Sequence, residues 1–193
     1  MIRAHQLTDL TRLPMLWEGW YEWFAELRES DTALPAIAFM GSSREDRNWV
    51  ATVGAVLDAA SVTLGVLDVP TDTDAALCIR GGTLAMRDIA EYFGIETDHD
   101  PAPDAPISVT RETWDVAYDA LEAAGVPLAE REQAWIAWRG WRVDYDAALM
   151  GMARLTVSPS TRLAEGGTYG VGPPDVRRVS SGACLHRHGA AHR

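Results

Sequence analysis

The sequence contains no lysine, so its positive charge comes from 17 arginines alone. They face 28 acidic residues, and the formal net charge is −11. The imbalance lies in residues 1–157, which hold 12 arginines and 26 acidic residues, whereas residues 158–193 hold five arginines and two acidic residues. Because an acidic surface repels phosphate groups, we do not expect this chain to bind nucleic acid or an anionic membrane.

Cysteine is scarce as well. Cys78 and Cys184 are the only two in the chain, and two cysteines so far apart in sequence do not indicate a disulfide framework. Residues 1–16 also lack the apolar core of a secretion signal. Both observations favour a protein of the reducing cytoplasm.

Long apolar segments are missing, with one exception. Residues 49–67 contain a single charge, Asp58, at their centre. On membrane-insertion scales a central carboxylate costs about 2.5–3.5 kcal/mol, while each leucine or valine returns only about 0.3–0.6 kcal/mol. Three leucines and five valines barely offset Asp58. We therefore expect a buried helix and no direct membrane insertion, with insertion through residues 49–67 as an alternative.

Tryptophan, in contrast, is abundant and regularly placed. Six of the eight tryptophans form two triplets with a spacing of three residues: Trp17, Trp20 and Trp23, then Trp135, Trp138 and Trp141. This spacing covers one broad face of a helix, and two such faces can pack together. Four of the six extend apolar stripes. Trp23 and Trp135 lie at the edges of the stripes, so they are the predicted exposed interaction surface.

The hydrophobic periodicity predicts an all-α fold: a single bundle of about five helices in residues 1–157 and a disordered C-terminal tail in residues 158–193. The predicted helices begin near Pro14 and Ser43, and then cover residues 74–93, 110–125 and 128–155. The second is expected to be central, because it is almost uncharged all round. Gly81 and Gly82 predict a kink or a break in the third helix, with close approach of another backbone as the alternative.

Few residues suggest chemistry. His99 lies between two aspartates in the acidic, proline-rich stretch 97–106, which predicts an exposed loop that would position metal ligands poorly. The sequence ends with Cys184 and three histidines, but their spacing is not that of a zinc site. We therefore predict no catalytic residues, no metal and no cofactor.

Asp58 is the one candidate for a buried polar site. A buried carboxylate usually has a partner or a raised pKa, and Arg80 or Arg142 could supply a structural ion pair. The alternative is a ligand-binding or enzymatic bundle with a pocket near Asp58, between the tryptophan helices.

A series of elements in residues 13–60 carries a family resemblance. A tryptophan-containing helix is followed by Ser30, Pro35, Phe39, the polar turn 42–46, Trp49, and Leu57 with Asp58. In this order the chain resembles the soluble region that follows the pore in actinobacterial potassium-channel family proteins with two membrane helices, over residues 13–157. Asp31 and Leu34 depart from the histidine and tyrosine of that pattern, which weakens a ligand role there.

The resemblance implies a helical domain that elsewhere lies beneath a channel. Ion conduction is not implied, because residues 1–193 contain no pore helices or filter. Together with the composition, it predicts a non-enzymatic cytoplasmic domain. Such a domain would act by self-association, or by association with a membrane protein that brings it to the membrane.

Overall fold

The computed structural model describes residues 13–29 and 49–155. The predicted helix start near Ser43 and the predicted disordered tail 158–193 lie outside these residues. The described part forms five α-helices and no β-strand, which confirms the predicted all-α bundle. The helices are α1 (Leu13–Glu29), α2 (Trp49–Gly65), α3 (Thr73–Tyr92), α4 (Arg111–Ala123) and α5 (Arg131–Leu155).

Local signals at the helix ends explain why the predicted limits of α3, α4 and α5 agree with the observed ones to within a turn. The Asp72 carboxylate accepts hydrogen bonds from the backbone N–H groups two and three residues ahead, at 3.0 and 3.1 Å. The Thr110 side chain caps α4 in the same way at 3.3 Å. Gly94 and Gly125 follow α3 and α4 with φ values of 69° and 75°, a conformation that other residues adopt only with strain.

The glycine pair in α3 is a packing site and not a break. The helix runs without interruption from Thr73 to Tyr92, so the predicted break is wrong. A Cβ atom on Gly82 would lie 2.5 Å from the Leu57 side chain and 2.9 Å from the Phe24 ring, and one on Gly81 would lie 3.0 Å from the Tyr21 ring. The alternative expected another backbone at this pair, but the atoms that lie against it belong to side chains.

The contacts of α1 advance in the same direction along α3. Tyr21 lies at Gly81, and Arg28 further along α1 donates from Nε to Asp88 at 2.6 Å. The two helices therefore run parallel, and their C-terminal ends lie at the same end of the bundle.

Trp23 corrects a prediction of the sequence. It is only 5% exposed and makes edge-to-face contacts with Trp20 and Phe24, at ring-centroid distances of 5.4 and 5.3 Å. The predicted exposed surface at Trp23 is wrong, because the larger core cluster, to which α1, α2, α3 and α5 contribute, is wide enough to bury the whole arc of the first triplet.

A second, smaller cluster surrounds Trp114 of α4 and Trp138 of α5. Trp138 is fully buried there, while Trp141 is partly buried against the larger cluster. The second triplet thus bridges the two clusters, and α5 is the helix that joins them.

Residues 97–106 form an exposed loop, as predicted, but arginines fasten it across α5. Arg87 donates from Nη1 to the His99 carbonyl at 2.9 Å and from Nη2 to the Asp144 carbonyl at 2.8 Å. Arg139 donates to the Ala105 carbonyl at 2.9 Å. The loop is therefore held by its backbone, while the His99 side chain remains at the surface.

Candidate functional site

Asp58 and Arg142 form a buried ion pair between α2 and α5. Asp58 is 4% exposed and Arg142 is 1% exposed. Nη1 of Arg142 donates to Oδ1 of Asp58, and the Tyr145 hydroxyl donates to the same oxygen at 2.9 Å. Of the two arginines that could supply a partner for Asp58, Arg142 forms the ion pair, whereas Arg80 lies exposed on α3. Since an isolated buried charge is very costly, each partner depends on the other.

Arg142 also connects this pair to the loop before α4. Its Nε donates to Oδ1 of Asp146 at 2.7 Å, and its Nη2 donates to Oγ of Ser108 at 3.2 Å. Asp146 in turn accepts from the Ser108 backbone N–H at 2.8 Å and from the Ser108 hydroxyl at 2.6 Å. All three guanidinium nitrogens are therefore engaged, and one cation joins α2, α5 and the loop.

Tyr145 extends the network toward Ser61 on α2, with 3.0 Å between the two hydroxyl oxygens. Burial, followed by the negative charge of Asp58, raises the pKa of Tyr145 well above its usual value. Burial also opposes the charge of Arg142, but attraction to the carboxylates of Asp58 and Asp146 outweighs it and raises the pKa of Arg142. A neutral phenol that donates and a permanently charged guanidinium are what this arrangement requires.

Most of this network is closed off from the surface. Asp58, Arg142 and Tyr145 are all buried, with Arg142 and Tyr145 both donating to Asp58, and Ser108 is the member that reaches the surface. A general acid or base must reach the proton of a substrate, and Asp58 already accepts from two buried donors. The network therefore fixes the position of α2 and of the loop on α5.

Trp135 is half-buried, in partial agreement with the prediction of an exposed surface there. It stacks on Trp138 at 5.7 Å and meets Trp114 edge-on at 5.4 Å. The Arg111 guanidinium lies 5.4 Å from the centre of the Trp135 ring and 5.3 Å from that of Trp114. Arg111 also donates to Glu132 at 2.7 Å. A paired cation thus lies over these rings, so the surface is not a bare apolar patch.

The described residues contain no group of three or more histidine, cysteine, aspartate or glutamate side chains that could hold a metal ion. Cys78 is fully buried in the core, and burial raises its pKa to about 12. Because the thiolate is the reactive form of cysteine, this thiol is inert near neutral pH.

Five buried tryptophan N–H groups have no hydrogen-bond acceptor among the described residues; they belong to Trp17, Trp20, Trp23, Trp49 and Trp138. Four of them come from α1 and from the first residue of α2. A buried donor without a partner typically costs about 1–3 kcal/mol. These indoles are therefore in the core for their apolar area, and a ligand acceptor that reached one would recover part of that cost.

The outer face of α2 is a feature that the sequence did not predict. Asp58 is the only charged residue of α2 and points inward, while Ala55 and Ala59 are exposed and Val56 and Val62 are half-buried. Ten of the 17 residues of α2 are buried, so this helix, which was expected to be central, exposes only a narrow stripe. Each other described helix exposes acidic side chains: Glu18, Glu22 and Glu26 on α1, Glu91 on α3, Glu112, Asp119 and Glu122 on α4, and Glu132 on α5.

In the part of the chain that the structure describes, no helix combines the length and the apolar character needed to cross a membrane.

A comparison with models of known protein families, with curated proteins and with solved structures found no match. The resemblance to the soluble region of potassium-channel family proteins stays a prediction.

Proposed function

We propose that this protein is a non-enzymatic cytoplasmic domain that acts by association, and that it binds a second copy of itself through the outer face of α2. The observation that carries the proposal is the uncharged surface around Ala55 and Ala59 on an otherwise acidic molecule. Two copies with the same negative charge repel each other wherever acidic side chains meet. The α2 face is a helix surface where two copies can meet without that repulsion.

The small side chains of this face favour a close helix pair. The distance between packed helices depends on the side chains at the contact, and alanine permits the shorter end of the usual range of about 8–10 Å. A two-fold contact would place the Ala55 and Ala59 surfaces of both copies against each other, as in most homodimers. The half-buried Val56 and Val62 would add apolar area at the edges of the contact.

A non-enzymatic role is supported by the way the interior uses its polar groups. Asp58, Arg142 and Tyr145 bond to one another, and the Cys78 thiol is protonated. The buried thiol also supports a reducing compartment. A membrane-protein partner, which the resemblance implies, would compete for the same uncharged face, so the experiment must separate it from a second copy.

The test is the molar mass of the purified full chain, measured by light scattering over a range of concentrations. We expect a dimer that Ala59→Glu disrupts, because each copy would then bring a carboxylate into the contact. Ala120→Glu is the matched control, since it adds the same charge at an exposed alanine of α4. Circular dichroism checks that both variants fold.

A monomer at all concentrations refutes self-association. A dimer that both variants leave intact, or that both disrupt, refutes the assignment to α2. If the chain is monomeric but binds vesicles that carry a membrane protein, and Ala59→Glu abolishes that binding, the partner is the membrane protein.

Ligand binding inside the bundle is the second candidate, and the five indole N–H groups without acceptors favour it. Carbonyl or carboxylate compounds with apolar bodies are the chemical class that such donors would bind. A screen of these compounds by tryptophan fluorescence and thermal shift tests the candidate. If no compound raises the melting temperature of the wild type, the indoles serve packing alone.

A further inference from the structure

One end of the bundle carries an apolar surface, the end patch, formed by Tyr92, Phe93, Ile95 and Leu155. Tyr92 is 59% exposed and Leu155 is 54% exposed, while the other two are half-buried. The Tyr92 and Phe93 rings meet edge-on at 5.0 Å. Ile95 lies against Gly151, where a Cβ atom would come within 2.6 Å of its Cγ2 atom. Leu155 follows Gly151 by one helical turn on neighbouring helix surface, so the ends of α3 and α5 share this patch.

Acidic side chains lie around the end patch. Glu91 and Glu96 are exposed at the end of α3. Glu29, the last residue of α1, is exposed at the same end of the bundle, because the Arg28–Asp88 pair aligns the ends of α1 and α3. The nearest exposed cation on α5, Arg154, points about 100° away from Leu155 around the helix. Among the described residues, this surface is therefore apolar with a rim of net negative charge, since Glu29, Asp88, Glu91 and Glu96 outnumber Arg28 and Arg154.

We propose that the end patch is the docking surface for residues 158–193 of the same chain. The described chain ends at Leu155, inside the patch, and residues 158–193 follow it after two residues. Their five arginines and two acidic residues complement the negative rim, and their valines and leucines match the apolar centre.

A second copy is a poorer occupant of the end patch. The rim of the other copy would be negative as well, and like charges would oppose the contact. Residues 158–193 are also joined covalently to α5. Their effective concentration at the patch is therefore in the millimolar range, and no second molecule has to be brought to it. This docking does not rest on the proposed dimer. The end patch lies at the ends of α3 and α5, whereas the proposed dimer contact is the face of α2 around Ala55 and Ala59.

The experiment places a nitroxide on Cys184 of the full chain and records the loss of NMR signal intensity across the described helices. Cys78 is fully buried, with a pKa of about 12, so it reacts slowly with the labelling reagent. We expect residues 92–95 and 155 to lose most of their intensity. Leu67 and Leu128, which pair by a backbone bridge at the opposite end of the bundle, should keep theirs.

Two sets of variants make the experiment decisive. Tyr92→Ser combined with Leu155→Ser should restore the lost intensity, while Val116→Ser, at an exposed apolar residue on α4, should not. Replacing Arg177 and Arg178 with glutamine should restore part of it. An equal loss of signal intensity at both ends of the bundle overturns the proposal. So does a loss of intensity that Tyr92→Ser combined with Leu155→Ser leaves unchanged. So does broadening that disappears when unlabelled protein is added in excess, because the contact is then between two molecules.

Discussion

Removing the Arg142 side chain should destabilise the bundle more than any other single change to the buried network. Asp58 and Asp146 both accept hydrogen bonds from this guanidinium, and both carboxylates are buried. Arg142→Met keeps a long apolar side chain but leaves two carboxylates without their cation. Breaking a buried ion pair from one side typically costs about 3–5 kcal/mol.

Asp58→Asn supplies the informative comparison. The asparagine keeps an acceptor for Arg142 and Tyr145, and Arg142 keeps Asp146 as a counter-charge. Only the difference between a charged and a neutral acceptor is lost, so the cost should be about 1–3 kcal/mol. Arg142→Met should therefore cost more stability than Asp58→Asn, because it leaves buried carboxylates without a cation, whereas Asp58→Asn leaves Arg142 with Asp146 as its counter-charge.

The assay is urea unfolding of the full chain, followed by tryptophan fluorescence and by circular dichroism. A loss of about 3–5 kcal/mol would lower the melting temperature of a chain of this size by roughly 6–20 °C. Arg139→Met is the control. Arg139 is half-buried and, among the described residues, donates to loop carbonyls alone. Its loss should loosen the loop, which Arg87 still holds, and leave the bundle largely intact.

A cost for Asp58→Asn that equals or exceeds that of Arg142→Met would refute the reasoning. The same holds if Arg142→Met and Arg139→Met have equal effects, because the guanidinium of Arg142 would then not be the link between the helices.

Three further predictions follow from local geometry. Gly82→Ala should lower the free energy of unfolding by about 1–3 kcal/mol through overpacking, since its Cβ would lie 2.5 and 2.9 Å from neighbouring side chains. Gly140 has open space around it, so Gly140→Ala should raise the free energy of unfolding by about 0.5–1 kcal/mol in the same urea assay. Burial raises the pKa of Cys78 from 9.0 to about 12, so the folded chain holds this proton more tightly than the unfolded chain, and stability should fall as pH rises from about 9 toward 12. Cys78→Ala should reduce this dependence of stability on pH. An unchanged dependence would show that Cys78 is not its cause. Arg111→Gln should cost about 0.5–1 kcal/mol and increase acrylamide quenching of Trp135, because the cation over its ring is lost; unchanged quenching would show that Arg111 does not shield this ring.

Much of the helix order could be predicted because its signals are local. Asp72, Thr110, Gly94 and Gly125 act within one turn of the positions they cap or end, so a single stretch of sequence contains the whole cause. The apolar stripes of α4 and α5 are of the same kind. These features do not depend on which helix packs against which.

The two tryptophans that were predicted to be exposed, Trp23 and Trp135, show what local sequence patterns cannot predict. Trp23 ends the first triplet and Trp135 begins the second, and both lie at the edge of an apolar stripe, yet Trp23 is buried in the core and Trp135 is half-buried beneath Arg111. The number of neighbouring helices around each segment decides this difference. That number is a property of the assembled bundle.

The sequence by itself determined the helices, the ends of α3, α4 and α5, the acidic character of the body and the need of Asp58 for a cation. The tertiary structure alone decided that Arg142 and not Arg80 supplies the cation, that Gly82 receives the Phe24 ring, and that α2 leaves Ala55 and Ala59 exposed. The reason is physical: helix propensity and capping act over a few residues, whereas these contacts join segments far apart in the chain and form only when the helices pack.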